Sequence, residues 1–394
     1  MLNIDQLRAD TPGAQHRIHL NNAGASLMPR PVLEAAQQHL QLESEIGGYE
    51  AAALVREQSI GFYESVAQVL NAQPDQIAWS GSATQAYNTA LSAIPFQAGD
   101  TILTTEADYV SNQIAFLQLA KRHHLQLIRA RTLPEGGVDT GHLKALIRQH
   151  RPRLVAVTHV PTNSGLVQNI MGIGEVCRAN GAYYLVDACQ SAGQLPLDVQ
   201  AIACDFLTAT FRKFLRGPRG GGFLYISERV LEAGLEPKFM DLHSAAWTAP
   251  DTYRPRKSAV RFETWERSYA LVLAARAATN YAIELGLTAI AERVSMLAAH
   301  LRQKLGQLKH IRVLDQGQQL CGIVTLSIAG LSAREIIPAL NQKGVNASVS
   351  MKAGAVIDFE KKGVDWALRF SPHYYNTIAE LDRAVEALQQ LRPQ

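Results

Sequence analysis

Two residues in the middle of the chain, Asp187 and Lys213, have the types and the spacing to do chemistry together. The run LVDACQ ends an apolar stretch on the carboxylate of Asp187, with Gln190 three residues on. The next apolar run, FLTATF, delivers Arg212 and Lys213 into the turn RKFLRGPRGGG. Taken singly, an aspartate after a strand ordinarily caps a helix or a turn, and a lysine before glycines ordinarily sits in solvent. Together, each closing a strand, they fit another task. A lysine amine forms a Schiff base with an aldehyde, and a carboxylate keeps a pyridine nitrogen protonated so that the ring becomes an electron sink. That is the pairing pyridoxal 5'-phosphate requires. The order of residues excludes a P-loop, in which the lysine follows its glycines.

Other polar residues close the neighbouring apolar runs. Ser82-Ala83-Thr84-Gln85 follows IAWSG and opens a helix. The backbone at Ala83 and Thr84, with the threonine hydroxyl, suits a phosphate, although a plain serine cap explains the same residues. Tyr109, after TILTTE, offers a face for ring stacking or simply a packed tyrosine. Asn163, in HVPTNSG, and Gln190 could each bond the cofactor's phenolic oxygen. Thr210 and Arg212 could hold phosphate, the arginine through its forked donors. Arg369 ends DWALRF and could clamp an α-carboxylate with two hydrogen bonds, or lie in solvent. Near the start, RIHLNNAGASLMPR puts Asn22 and Ala23 in a turn of small residues, where a substrate could approach the backbone closely.

The elements that must position these groups are legible as a pattern. From residue 77 to 227, seven apolar runs alternate with helical stretches: IAWSG, TILTTE, LQLIRA, LVAVTH, YYLVDA, FLTATF and GGFLYIS. Alternation of this kind predicts an α/β fold with a mostly parallel sheet covered by helices. Ligands of such sheets sit beyond the carboxyl ends of the strands, where five of these runs end in polar residues. Before the sheet, residues 32–72 read as helix broken at Gly47-Gly48, with Tyr49 on a loop that could cover a pocket. Residues 228–260 read as irregular, with His243 and Trp247. A long helix over 264–285 and a smaller α+β region complete the chain. The division expected is a large cofactor-binding domain over 17–260, and a small α+β domain built from 1–16 and 261–394.

Composition bounds the function. The 394 residues are 47% apolar, enough for a full core, and the formal net charge is only +3. That charge gives no reason to expect nucleic acid or a membrane surface as partner. No apolar run reaches the length of a membrane span, and MLNIDQLRADTPGAQHRIHL lacks an apolar signal core. Cys177, Cys189, Cys204 and Cys321 are scattered without a CxxC pair, which suits a reducing compartment and no metal site. A cytoplasmic protein acting on a small amino acid is the expectation.

Together these residues resemble the class V aminotransferase family, the cysteine-desulfurase-like enzymes of pyridoxal-phosphate fold type I. The resemblance runs from HLNNAG at residue 19 to RFSPHYYNT at residue 369. SATQ is similar to the family's phosphate turn, LVDACQ to its Val-Asp-x-x-Gln, and TFRKFLRGPRG to its lysine turn. It implies a seven-stranded sheet, a small C-terminal domain, and a homodimer with cofactor sites near the subunit interface.

Four features depart from the family pattern. Arg212 stands where a histidine often precedes the lysine, and Tyr109 where many members stack a histidine. RFETWERS at 261–268 replaces the Gly-Thr-Pro segment that reaches a neighbouring subunit's phosphate. Desulfurases carry a nucleophilic cysteine on a small-domain loop, and the corresponding NASVSMKAGAVIDFE has none.

HVPTNSG, RKFLRGPRG and PHYYNT resemble most the branch with ergothioneine-type C–S lyases, isopenicillin N epimerase being more distant. The function expected is β-elimination of the C–S lyase type, with aminotransferase and epimerase as alternatives. A regulatory protein that merely binds the cofactor would need a nucleic-acid-binding extension, and no helix-turn-helix or basic tail is present. A nucleotide-binding α/β protein would need a GxGxxG after an early strand, and none is there.

Overall fold

The computed structural model describes residues 2–391. After a short helix, Ile4–Ala9, comes the two-residue strand β1 (Ile18–His19). Helices Arg30–Ile46, Gly48–Leu54 and Arg56–Leu70 follow. The break expected at the glycine pair is there: Gly47 has φ +98°, which side chains other than glycine rarely tolerate. Tyr49 lies on the middle helix rather than on a loop and is exposed.

The seven apolar runs form one sheet. Its strands are β2 (Ile77–Ser80), β3 (Thr101–Thr105), β4 (Gln126–Ala130), β5 (Leu154–Thr158), β6 (Tyr183–Asp187), β7 (Phe206–Thr210) and β8 (Gly222–Ile226). The order across the sheet is β2-β8-β7-β6-β5-β3-β4. All strands run parallel except β8, which is antiparallel to both of its neighbours. Strands β2, β3, β5, β7 and β8 are buried along their whole length, which is why they read as continuous apolar runs and not as alternation.

Residues 228–260 are more ordered than the sequence suggested. They contain a helix, Glu228–Glu232, and a hairpin of β9 (Ala245–Ala249) and β10 (Thr252–Pro255). The hairpin escaped the periodicity because most of it is solvent-exposed. Trp247 and Tyr253, paired across it, are 81% and 57% exposed.

The C-terminal region has β11 (Ile311–Val313), β12 (Val324–Ile328), β13 (Val345–Asn346), β14 (Ser348–Met351) and β15 (Trp366–Phe370). Four of these form an antiparallel sheet in the order β11-β12-β15-β14. Residues 345–351 form two strands and not one, because β13 pairs with β1 while β14 pairs with β15.

That pairing also moves the domain division. Ile18 and Leu20 pack in the small-domain core with Leu301, Leu326 and Phe370. Val272, Ala275 and Ile290 pack in the large-domain core with Phe62 and Val66, as does Leu7. The boundaries expected at 17 and 260 therefore do not coincide with the change in packing. No helix among the described residues is long and apolar enough to cross a membrane.

Candidate active site

The carboxyl ends of the parallel strands carry the site, as the topology requires. Strand β6 ends on Asp187, and β7 leads through Thr210 to Arg212 and Lys213. Strand β2 ends at Ser80, and Ser82 caps the helix Ala83–Ala93 by accepting the Gln85 N–H at 3.1 Å. Strand β8, being antiparallel, begins at this same edge with Gly222. A Cβ there would come within 2.7 Å of the Ala83 nitrogen, so glycine is what lets the helix start seat against the sheet.

One cavity is lined by Ala83, Thr84, Tyr109, Asp187, Gln190, Thr210, Arg212 and Lys213, together with Ser82, Thr158, Val160, Thr162 and Cys189. Eight of the residues proposed from sequence are thus brought together. The N–H groups of Ala83 and Thr84 begin their helix and have no acceptor one turn back, an anion site by construction. Thr210 is turned so that its hydroxyl donates to the Gly221 carbonyl at 3.2 Å. Arg212 donates one Nη1 bond to the Gly24 carbonyl and keeps its other donors.

Three cations meet around this cavity: Arg212, Lys213 and, reaching in from β15, Arg369. Lys213 and Arg369 are 7% and 8% exposed. None of the three is in an ion pair among the described residues. Burial pushes the Lys213 amine below its ordinary range, with Arg212 and Arg369 adding to the effect and Cys189 and Asp187 opposing it. Burial, and then Arg212, lower Arg369 to about 10. Buried cations without carboxylate partners are costly unless an anionic ligand completes them. Asp187, 4% exposed, is fixed by bonds from the Cys189 N–H to Oδ1 and from Asn112 Nδ2 to Oδ2, both 2.9 Å. A ligand with a phosphate, a carboxylate-seeking ring nitrogen and an aldehyde for an amine answers this donor set, so pyridoxal phosphate fits.

Three proposed residues are not brought into the cavity. Asn22 is fully buried: its Nδ2 donates to the Ser371 and His19 carbonyls, and its Oδ1 accepts the Tyr375 hydroxyl at 2.6 Å. Ala23 gives its N–H to Ser371 Oγ and its carbonyl to Gln190. The turn is thus a structural clasp between β1 and the residue after β15, and nothing of Asn22 is left for substrate. Asn163 points the other way, donating to Asp358 Oδ2 at 2.8 Å on the small-domain helix Val356–Lys362.

The residue of this turn that does line the cavity is the neighbour Thr162, which sequence reasoning passed over in favour of the amide. Thr162 Oγ1 accepts from Gln190 Nε2 at 2.7 Å and from Arg369 Nη1 at 2.8 Å. With both lone pairs taken, its own proton is left to donate into the cavity. Arg369 is further held by the Thr162 carbonyl at 2.9 Å and Ser348 Oγ at 3.1 Å. Asp108, Asn112 and Thr158, behind Asp187, were also missed. A DYVSN run after a strand carries no signal that distinguishes them from a helix start.

Fold and site together define a pyridoxal-phosphate enzyme of fold type I. The family model for aminotransferase class-V matches residues 18–384, and the chain belongs to that family. Among its relatives is a probable cysteine desulfurase of Methanothermobacter thermautotrophicus, 26% identical, covering 99% of this chain and 98% of the relative. Among solved structures, an apo cysteine desulfurase from Thermococcus onnurineus NA1 superposes with a TM-score of 0.90 at 24% identity, covering 99% and 98%. The cystine C-S lyase C-DES, in complex with its product cysteine persulfide, superposes with a TM-score of 0.84 at 23% identity, covering 96% and 98%. The protein is a pyridoxal-phosphate-dependent enzyme of the cysteine-desulfurase-like type.

Proposed function

We propose that this enzyme is a C–S lyase, eliminating a sulfur leaving group from Cβ of an amino acid. When bound, pyridoxal phosphate supplies the ring that stabilises negative charge left on the substrate when a bond to Cα breaks. Everything else falls to the chain's own side chains. Lys213 would hold the cofactor through its amine and, once displaced by the substrate's own amine, would take the proton from Cα as a free buried amine depressed below its ordinary range. Asp187 keeps the ring nitrogen protonated. Ala83, Thr84 and Arg212 hold the phosphate, Thr210 joining them if its hydroxyl turns from Gly221. Tyr109 would stack on the ring, and Arg369 with Thr162 would hold the substrate carboxylate. As the proton passes to Lys213 Nζ, the Cβ–S bond breaks and the sulfur leaves with its electron pair. The three-carbon enamine that remains hydrolyses to pyruvate and ammonia.

The observation that carries this reading lies in the small domain. The resemblance implies that a desulfurase carries a mobile cysteine before the arginine strand. Here Ser348–Met351 is strand β14, its backbone committed to a ladder with Trp366–Arg369, and residues 346–360 hold no cysteine. The four thiols elsewhere are poor substitutes. Burial pushes each of them up, Cys321 to about 12. Cys189 alone lines the cavity, and its backbone N–H is tied to Asp187. A thiol held in the thiol form by burial and the neighbouring carboxylate is a weak nucleophile.

We read the enzyme as a homodimer in the cytoplasm, the exposed hairpin with Trp247 and Tyr253 being part of the contact. Sedimentation of a Trp247→Ser variant, expected to weaken dimers, tests that part. A panel of cysteine conjugates, sulfoxides and amino donors tests the reaction. Pyruvate with ammonia supports the lyase. A keto acid matching the donor indicates transamination, and inversion at Cα without a keto acid indicates epimerisation.

A further inference from the structure

Behind the cavity lies a second buried carboxylate that the mechanism above does not use. Asp108 is 7% exposed and accepts five hydrogen bonds. Oδ1 takes the Tyr109 N–H at 2.7 Å, Asn112 Nδ2 at 3.1 Å and the Thr158 hydroxyl. Oδ2 takes Thr104 Oγ1 at 3.2 Å and Gln113 Nε2 at 2.7 Å. Every contact is a donor, which is the environment of an ionised acid. Burial pushes the carboxyl up, and bonds from Thr158, Gln113, Asn112 and the Tyr109 N–H act against it.

The amides around Asp108 are oriented without ambiguity. Arg129 gives Nε and Nη2 to Gln113 Oε1 at 3.0 and 2.7 Å. That fixes which end of Gln113 is oxygen, and so directs its Nε2 at Asp108. The Asn112 amide nitrogen in turn stands between two carboxylates, 3.1 Å from Asp108 Oδ1 and 2.9 Å from Asp187 Oδ2. An NH2 group has two hydrogens, one for each. Turned over, the amide would set its oxygen against both acids. Asp187 therefore has each oxygen pinned once, by Asn112 and by the Cys189 N–H, and its remaining lone pairs are left for the cavity it lines.

We propose that Asn112, aligned by Asp108 and the Arg129–Gln113 pair, is the positioning residue that aims Asp187 at the cofactor's ring nitrogen. Neither Asn112 nor Asp108 need touch substrate or cofactor. Asn112 sets the angle of the Asp187 carboxylate, and Asp108 adds a fixed negative charge behind it. The inference rests on the assignment of Asp187 to the ring nitrogen.

The test is made on holoenzyme reconstituted with cofactor carrying 15N at the ring nitrogen, whose chemical shift reports protonation directly. In the unaltered enzyme the nitrogen is expected to be protonated across the accessible pH range. In Asn112→Leu the signal is expected to move toward the unprotonated position and to titrate within that range. The visible band of the bound cofactor should follow it, with kcat down tenfold or more and KM little changed. Arg129→Met, three hydrogen bonds further from Asp187 than Asn112, is expected to give a smaller shift of the same sign, and carries the test alone if Asn112→Leu does not fold. A ring-nitrogen signal and pH response identical to the unaltered enzyme in whichever variants fold would overturn the proposal. Failure of the underlying assignment looks different: Asp187→Ala itself would then leave the signal unchanged.

Discussion

On the large-domain side of the cavity the polar groups are braced from behind. Asp187 is pinned at both oxygens, Arg212 is tied to Gly24, and Gln190 is held by Ala23 and Thr162. On the small-domain side a single side chain, Arg369, reaches across to Thr162 from a strand whose neighbour carries the half-buried Ser348. The first wall is built on the ends of buried parallel strands, and a shift there would disturb the core. The second is built on a short antiparallel sheet, which meets the first through a small apolar cluster of Val160, Val167 and Phe214 with Cys321 and Ile323, and through hydrogen bonds such as Asn163 to Asp358. The difference teaches where this enzyme's chemistry is general and where it is particular. The braced wall suits the cofactor, whose demands are the same in any reaction at Cα. In the proposed function the sparse wall meets the substrate, and the absence of a cysteine there is what favours elimination over desulfuration.

The comparison can be broken from either side. The largest effect is expected on the braced wall. Lys213→Ala should reduce turnover by on the order of 10^4-fold, the upper range for loss of a positioned base. Borohydride treatment of the unaltered holoenzyme should fix the cofactor on Lys213 and on no other lysine, and a label found elsewhere would move the site. Asp187→Ala should lower kcat by on the order of a hundredfold to a thousandfold while cofactor stays bound through the phosphate contacts. Near-normal turnover in that variant would remove Asp187 from the ring nitrogen.

On the sparse wall the expected effect is smaller and falls on binding. Arg369→Ala removes a buried, charge-assisted clamp, a loss of about 2–4 kcal/mol, or roughly thirtyfold to several hundredfold in KM. The visible spectrum of the resting enzyme should not change. An unchanged KM for every substrate accepted would take Arg369 out of the site.

A further effect falls on stability and not on turnover. His159, at the end of β5, has an unpartnered buried Nδ1, and burial lowers it to about 4 from an ordinary 6.5. Between those values the unfolded chain binds the proton and the folded chain does not. Stability is therefore complete above 6.5 and is lost as pH falls toward 4, by about 3 kcal/mol in full. His159→Gln should flatten the acid limb of Tm against pH. His19 and His373, lowered by burial in the same sense, and carboxylates held down by hydrogen bonds, such as Asp139 and Asp198, contribute to the slope that remains. An acid limb as steep as before would mean that His159 titrates normally.

How much of this was legible in the sequence follows the same contrast. Five of the seven sheet strands could be read because burial on both faces makes them uninterrupted apolar runs, β4 and β6 were found by their place in the alternation, and the strand ends placed Asp187 and Lys213 without further help. Arg369 was legible as a polar residue closing an apolar strand. The bonding of the turn at Asn22 was not legible, because a small-residue turn near a ligand and one locking two strands have the same composition. Thr162 was missed because chemistry was assigned to the amide beside it, and only the bond from Asn163 to Asp358 shows which of the two faces inward. The role of Asp108 and Asn112 was invisible because their bonds to Thr158 and Asp187 form only when the helix Val110–His123 comes against β5 and β6.

The most direct test of the claim that the missing small-domain cysteine makes this enzyme a lyase is the ratio of pyruvate to alanine formed from cysteine. It should be measured on the holoenzyme and on Cys189→Ser side by side. Pyruvate as the main product, at a similar ratio in both, is the result predicted. Alanine as the main product, with an enzyme-bound persulfide that disappears in Cys189→Ser, would contradict it and make Cys189 the nucleophile of a desulfurase.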